Sequence, residues 1–166
     1  VSISYNNSWI LNDETLAGLN SANLTDTRMS YAPEVGISAL FASRKGQRIL
    51  MELFIISDQN QRFRQYINAL YQERKISLHY HKLHLSWHVP LKVIPLSAGV
   101  GAYYSLLNNA EEIIADETTS INSLYKRNDY GLTLQFTKDY ELLNRFIFMP
   151  SLRFQYSLNN IFKGND

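Results

Sequence analysis

"KLHLSWHVPLKV", Lys82 to Val93, alternates without a break. Leu83, Leu85, Trp87, Val89, Leu91 and Val93 are large and apolar, and Lys82, His84, Ser86, His88, Pro90 and Lys92 stand between them. Successive side chains of a strand point to opposite faces, so this stretch makes a strand with one apolar and one polar face. The fold turns on which of those faces meets the surroundings, and on whether the surroundings are water or hydrocarbon.

The same period of two recurs along the chain. Val35, Ile37, Ala39 and Phe41 share a face opposite Glu34, Gly36 and Ser38; Ile49, Met51, Leu53 and Ile55 share one opposite Glu52. Leu96 to Leu106, Tyr130 to Phe136 and Phe146 to Leu158 alternate in the same way, and Ile3, Tyr5 and Trp9 give a weaker opening segment. Strands are therefore predicted near residues 2–11, 30–42, 48–57, 77–92, 95–107, 129–137 and 145–158, an all-β chain forming a single domain over 1–166. Pro33, Pro90 and Pro150 fall inside these segments, and each removes a ladder hydrogen bond. Pro90 suits a strand end, and Pro150 suits a bulge.

The connections carry a second regularity. Short ones around residues 43–47, 92–95 and 138–144 alternate with long polar ones around 12–29, 57–76 and 108–128. That order fits an up-and-down antiparallel transmembrane β-barrel, with tight turns at one rim and extended loops at the other. Seven strands are readable, whereas such barrels close on even numbers. The expectation is eight strands, with the last one missing or beyond residue 166.

Bulk composition narrows the function classes. The 166 residues suit one domain, and a formal charge of +1 gives no nucleic-acid footprint. There is no cysteine, hence neither a disulfide frame nor a thiolate site. No run of about 20 apolar residues marks a membrane helix, which says nothing against a barrel that hides its lipid face in alternate residues. Eleven tyrosines and two tryptophans can furnish interfacial girdles.

The order of several stretches resembles the PorT-like outer-membrane β-barrel family of Bacteroidetes-type bacteria. These are "MELFI" after a Gly-containing turn, "LSWHVPLKV", the Gly-rich "SAGVGAYYSLL", "DYGL", and the closing "SLRFQYSLNNIF". The likeness runs from about Tyr31. It departs from the family at Val89, where Ile is usual, in the His and Lys of the fourth strand, and in the absent last strand. The resemblance implies an eight-stranded barrel in the bacterial outer membrane, whose named relatives assist protein secretion and gliding machinery.

In that reading Leu83, Leu85, Trp87, Val89, Leu132, Leu134, Phe146 and Phe148 face lipid. Glu34, Glu52, Asp129 and Arg153 point into the lumen, where Glu52, Asp129 and Arg153 are expected to form a charge network that fills space rather than serving a ligand. His79 and His81 share one face and His84 and His88 the other, which argues against a four-ligand metal site. Gly99 and Gly101 lack the following helix that a phosphate loop needs, and close packing of an inward neighbour explains them better. No cofactor and no nucleophile–base pair is expected. In the long segment 58–75, Phe63, Tyr66, Ile67 and Leu70 recur at helical spacing and suggest a short helix able to bind a partner.

The expected function is a non-enzymatic scaffold or accessory subunit in a membrane complex, of the secretion or gliding kind that the resemblance implies. Its expected partners are outer-membrane lipid and other proteins, not nucleic acid. Two alternatives stand beside it. A soluble lipocalin-like carrier would turn the apolar face inward around a ligand. An outer-membrane lipid-modifying enzyme would need a rim nucleophile with a histidine base.

Overall fold

A computed structural model describes residues 2–7, 25–28, 31–67, 70–91, 94–114, 116–143, 146–159 and 161. Among these residues eleven strands run in chain order: β1 (Ser2–Asn7), β2 (Thr25–Arg28), β3 (Tyr31–Ala42), β4 (Arg48–Ile67), β5 (Leu70–Pro90), β6 (Ser97–Ile114), β7 (Glu117–Ser120), β8 (Asn128–Thr137), β9 (Tyr140–Leu143), β10 (Phe146–Phe148) and β11 (Ser151–Ser157). A 3₁₀ turn at Asn122–Leu124 is the one helical element among the described residues. The main sheet is antiparallel and follows the path β1-β3-β4-β5-β6-β8-β11. β2 pairs with the far end of β4, and β7 folds back on the far end of β6. Chain order and wall order agree along the path, the up-and-down arrangement that the alternating connections predict.

The sheet curls until distant strands touch. Arg153 of β11 reaches Glu52 of β4, Lys82 of β5 reaches Glu34 of β3, and His84 of β5 meets Thr133 of β8. None of these pairs lies on adjacent strands, so each spans the interior. Among the described residues β1 and β11 are the two edges of a seven-strand path rather than of an eight-strand ring. Hydrocarbon offers no hydrogen bonds, so both edges need a strand beside them in a membrane.

Register sorts the side chains into rows. Phe41, Ile49, Trp87, Val100, Leu134 and Phe154 are successive partners across six strands. All six are exposed, Trp87 at 49 % and Phe41 at 61 %. Leu50, Ser86 and Gln135, each one residue away from a member of the row, point the other way and are buried. The apolar face is the outside. This overturns the carrier arrangement, which needs that face at the centre. Leu83, Leu85, Trp87, Leu132 and Leu134 are exposed on that outer face, while Phe148, also exposed, belongs to β10, which pairs only with β9. Val89 shares the parity of Trp87 and is half-buried beside Ala98 at the short-turn end of β5, and the side chain of Phe146 lies outside the described ones.

Two bulges let the wall change side-chain parity as it leaves the apolar band. Residues 55 and 56 of β4 stand against the single His81, whose Nδ1 lies 2.7 Å from the Ile55 carbonyl oxygen. In β6, Asn108 is the extra residue between the partners of His79 and Tyr80. An added residue unpairs the ladder locally and flips everything beyond it.

The long connections differ most from expectation. β4 and β5 continue as a paired ribbon to Ile67 and Leu70, so the described part of the segment 58–75 is strand rather than helix. The helical spacing of Phe63, Tyr66, Ile67 and Leu70 carries no weight there, because the backbone of each is already paired across the ribbon. The side chains of those four residues lie outside the described ones. At 3.3 Å per residue, the 20 residues of β4 span about 65 Å, roughly twice what a tilted membrane strand needs. Strand ends shift accordingly: β4 runs past 57, β5 starts before 77, β6 passes 107, and β1 is described only to Asn7, leaving residues 8–11 outside the description. Pro150 does not sit within a strand; it separates β10 from β11. Gly46, at φ +77°, closes the tight β3–β4 turn in a backbone conformation that favours glycine.

Candidate functional site

The inward face of the wall is a stack of polar layers. Glu34 accepts hydrogen bonds from the Lys82 ammonium and from the Ser57 hydroxyl at 2.7 Å, and Lys82 also donates to Gln155 at 3.3 Å. Lys82 is fully enclosed, and its Nζ lies 5.8 Å from the ring centroids of both Phe54 and Tyr103. A buried ammonium is tolerable only with a carboxylate and further hydrogen bonds around it, and aromatic faces add to the attraction.

One layer nearer the short turns, Glu52 receives the Arg153 guanidinium and, at 2.9 Å, Nδ1 of His84. Nε2 of the same imidazole lies 2.9 Å from Thr133 Oγ1. Asp129 sits in a separate group, accepting from Tyr103 at 3.1 Å and from Ser157 at 2.5 Å. The predicted trio is thus divided: Glu52 and Arg153 meet, while Asp129 is held by hydroxyls. Lys82 and His84 are partners the predicted set omitted. Their signal was present, since both share the parity of Ser86 and His88 on the wet face of the opening strand.

Glycines make room for the rings of this layer. A Cβ on Gly99 would stand 2.5 Å from the His88 ring, and one on Gly131 would stand 2.7 Å from that of Tyr103. Packing of inward rings explains Gly99, but its neighbour is His88; the space beside Tyr103 is supplied by Gly131. At the short-turn rim Arg48 and Asp139 form an ion pair between β4 and the turn after β8.

Beyond the polar layers the interior becomes apolar. Ile76, Leu78, Tyr80, Ala110, Ile121, Tyr125 and Ile161 form one buried cluster at the long-loop end, with Leu107 against it. Ile161 is held by its carbonyl, which accepts from Lys126 N–H at 2.7 Å. Burial pushes the Tyr125 phenol up to about 12 from an ordinary 10.0. The wall therefore faces outward with hydrocarbon and inward with charge through one band, then holds a greasy stopper above it. That inversion suits a lipid-spanning barrel and no soluble one.

Residues 4–163 match the outer membrane protein beta-barrel domain family. The chain belongs to that family. No curated protein matches it, and no solved structure does. This outer-membrane β-barrel resides in the bacterial outer membrane, with the short turns at the periplasmic rim and the ribbon at the outer one.

Inside an outer-membrane barrel the Glu52–His84–Thr133 arrangement has a chemical meaning to be weighed. Carboxylate, imidazole and hydroxyl in a line are the parts of an activated nucleophile. Here His84 has no exposed surface, Thr133 is 5 % exposed, and Arg153 shares the orienting carboxylate. A nucleophile must approach its substrate within about 3.5 Å, and this one faces packed side chains. The line joins β4, β5 and β8 across the interior. Among the described residues no three His, Asp or Glu side chains gather as a metal site. His79 pairs with Asp58 at 2.8 Å, while His81 is held by the Ile55 carbonyl, so these two do not converge.

Proposed function

We propose that this barrel is a non-enzymatic scaffold: a membrane anchor that presents the β4–β5 ribbon to protein partners in an envelope complex. The observation that carries the reading is the set of side chains that meet across the interior. The Glu34–Lys82 and Glu52–Arg153 ion pairs cross it, and the apolar cluster stands above them. A lumen packed in this way contributes stability and shape rather than a route or a reaction. What projects is the ribbon, whose length exceeds the needs of the membrane.

The finer likeness to PorT-like barrels supports service to a protein secretion or gliding machine, in which an accessory barrel meets other subunits through its rims. Co-purification after gentle solubilisation tests it. The full chain should bring down the same defined partners repeatedly, and a chain with residues 63–70 replaced by Asn-Gly should lose them while still inserting. Identical partners with and without the ribbon tip would remove the ribbon from the proposal. Phospholipid turnover by the pure barrel would move the reading to the lipid-modifying enzyme.

A further inference from the structure

Each Lys or Arg that faces the interior among the described residues is bonded to a carboxylate of its own. Arg48 pairs with Asp139, Lys82 with Glu34, Arg153 with Glu52 and Arg74 with Glu112. Asp129 is the carboxylate left over. It is 3 % exposed, and among the described residues no cationic side chain forms an ion pair with it. Arg127, two residues before it, is exposed. A buried carboxylate without a countercharge is expensive. Oxygen atoms gather round this one. Tyr103 donates to Asp129 Oδ2 at 3.1 Å and Ser157 to Oδ1 at 2.5 Å. The Ser157 hydroxyl also lies 2.8 Å from the Asn159 carbonyl oxygen. A hydroxyl has one proton, so carboxylate and carbonyl compete for it. Ser105 stands directly opposite Asp129 across β6 and β8, on the same inward face. Such opposed Cβ atoms are about 5 Å apart. Ser105 is fully enclosed, yet its Oγ makes no hydrogen bond.

We propose that Asp129 holds one alkali-metal cation, sodium or potassium, whose other ligands are Ser105 Oγ, Ser157 Oγ and the Asn159 carbonyl oxygen. The charge count gives the first argument. One positive charge completes the pairing that the other four carboxylates already have, whereas a divalent ion would leave an excess in the interior. Donor chemistry gives the second. Every candidate ligand is an oxygen, and hard cations select oxygen over nitrogen and sulfur. A serine hydroxyl can keep its proton on a neighbouring acceptor while it turns a lone pair to the cation. The unbonded Ser105 Oγ gives the third, because the Lys82 ammonium in the same register row is turned across the lumen to Glu34. β6, β8 and β11 are consecutive in the wall. The bound ion therefore ties the outer end of the edge strand β11 to the two strands beside it.

The test follows urea unfolding of the full chain in a non-ionic detergent. Sodium chloride or potassium chloride is exchanged for N-methylglucamine chloride at constant ionic strength, so that screening stays the same. A ligand held only by the folded state raises the folding constant about tenfold for each tenfold rise in its concentration above its dissociation constant. The native chain is expected to show that slope with sodium or with potassium. D129N should show none. S105A, which keeps the carboxylate but loses one oxygen, should need several-fold more of the cation for the same midpoint. D58N, whose carboxylate lies on the outer side of the wall, should respond as the native chain does. The proposal is overturned if the native chain unfolds alike in all three salts, if D129N keeps the response, or if D58N loses it. It is equally overturned if calcium gives the same midpoint at far lower concentration, which marks a divalent site. A carbon-13 signal of neutral Asp129 carboxyl in sodium buffer would overturn it too, since a proton would then hold the place of the cation. Should D129N fail to fold, S105A carries the same comparison.

Discussion

At the residue scale the decisive group is Arg153. Its guanidinium reaches Glu52 across the lumen and lies 5.5 Å from the Phe54 ring centroid. Arg153→Met would leave Glu52 buried without its cation. Breaking a buried pair from one side costs about 3–5 kcal/mol, whereas replacing both partners by apolar groups is far milder. We expect R153M to lower the urea midpoint of the detergent-folded barrel by that order, and E52Q/R153M to regain a large part. Equal midpoints for R153M and native protein would show that the pair is not structural. Gly99 offers a sharper local check. G99A forces its methyl onto the His88 ring and should cost about 1–3 kcal/mol by overpacking, and H88A/G99A should relieve it. A double-mutant cycle with no coupling between the two positions would contradict that contact. The carboxylates and Arg153 were legible from parity alone. Which of them pair was not, because pairing depends on how far the sheet curls, and no local pattern encodes that.

At the element scale, the strands that touch lipid were readable and their continuations were not. Hydrocarbon on one side and charge on the other forces alternation, so Trp87 and Phe154 announce their face. Beyond the hydrocarbon the outward face no longer has to be apolar, and "DQNQRFRQYINALYQERK" loses the alternation. Its chance spacing of Phe63, Tyr66, Ile67 and Leu70 then imitates a helix. One signal was available: Ile76, Leu78 and Tyr80 share the parity of Lys82, and apolar residues on a polar face mark an internal stopper. The stopper has its own pH dependence. Tyr125 is held as the neutral phenol, its pKa raised from 10.0 to about 12 by burial. A raised pKa means that the neutral form's contribution is complete below pH 10 and is lost as pH climbs towards 12. We expect protection of the Ala110 and Ile121 amides from hydrogen exchange to fall in that window, and Y125F to remove the dependence. Phenolate absorbance missing from Y125F but present in native protein near pH 10 would show an ordinary, solvated tyrosine instead.

At the scale of the whole molecule, two barriers stand in series along the interior. Near the periplasmic rim Arg48 and Asp139 tie β4 to the turn after β8, and the Glu52–Arg153 and Glu34–Lys82 pairs cross the middle. At the outer end the Ile76–Leu78–Tyr80 cluster excludes water by being apolar. An ion entering from either side must displace paired charges or enter a medium that cannot solvate it, and both cost several kcal/mol. Native protein in a planar bilayer should therefore show no discrete current steps. L78S alone should stay silent, because the ion pairs beneath it still occupy the lumen. R153A alone should stay silent too, because the apolar cluster remains. The combination opens the outer cluster and removes one of the two pairs that cross the middle, and we expect L78S/R153A, more than either single variant, to leak small cations, since Glu52 then lacks its guanidinium. Steps from native protein would end the closed-lumen account, and steps from L78S alone would assign the whole seal to the outer cluster.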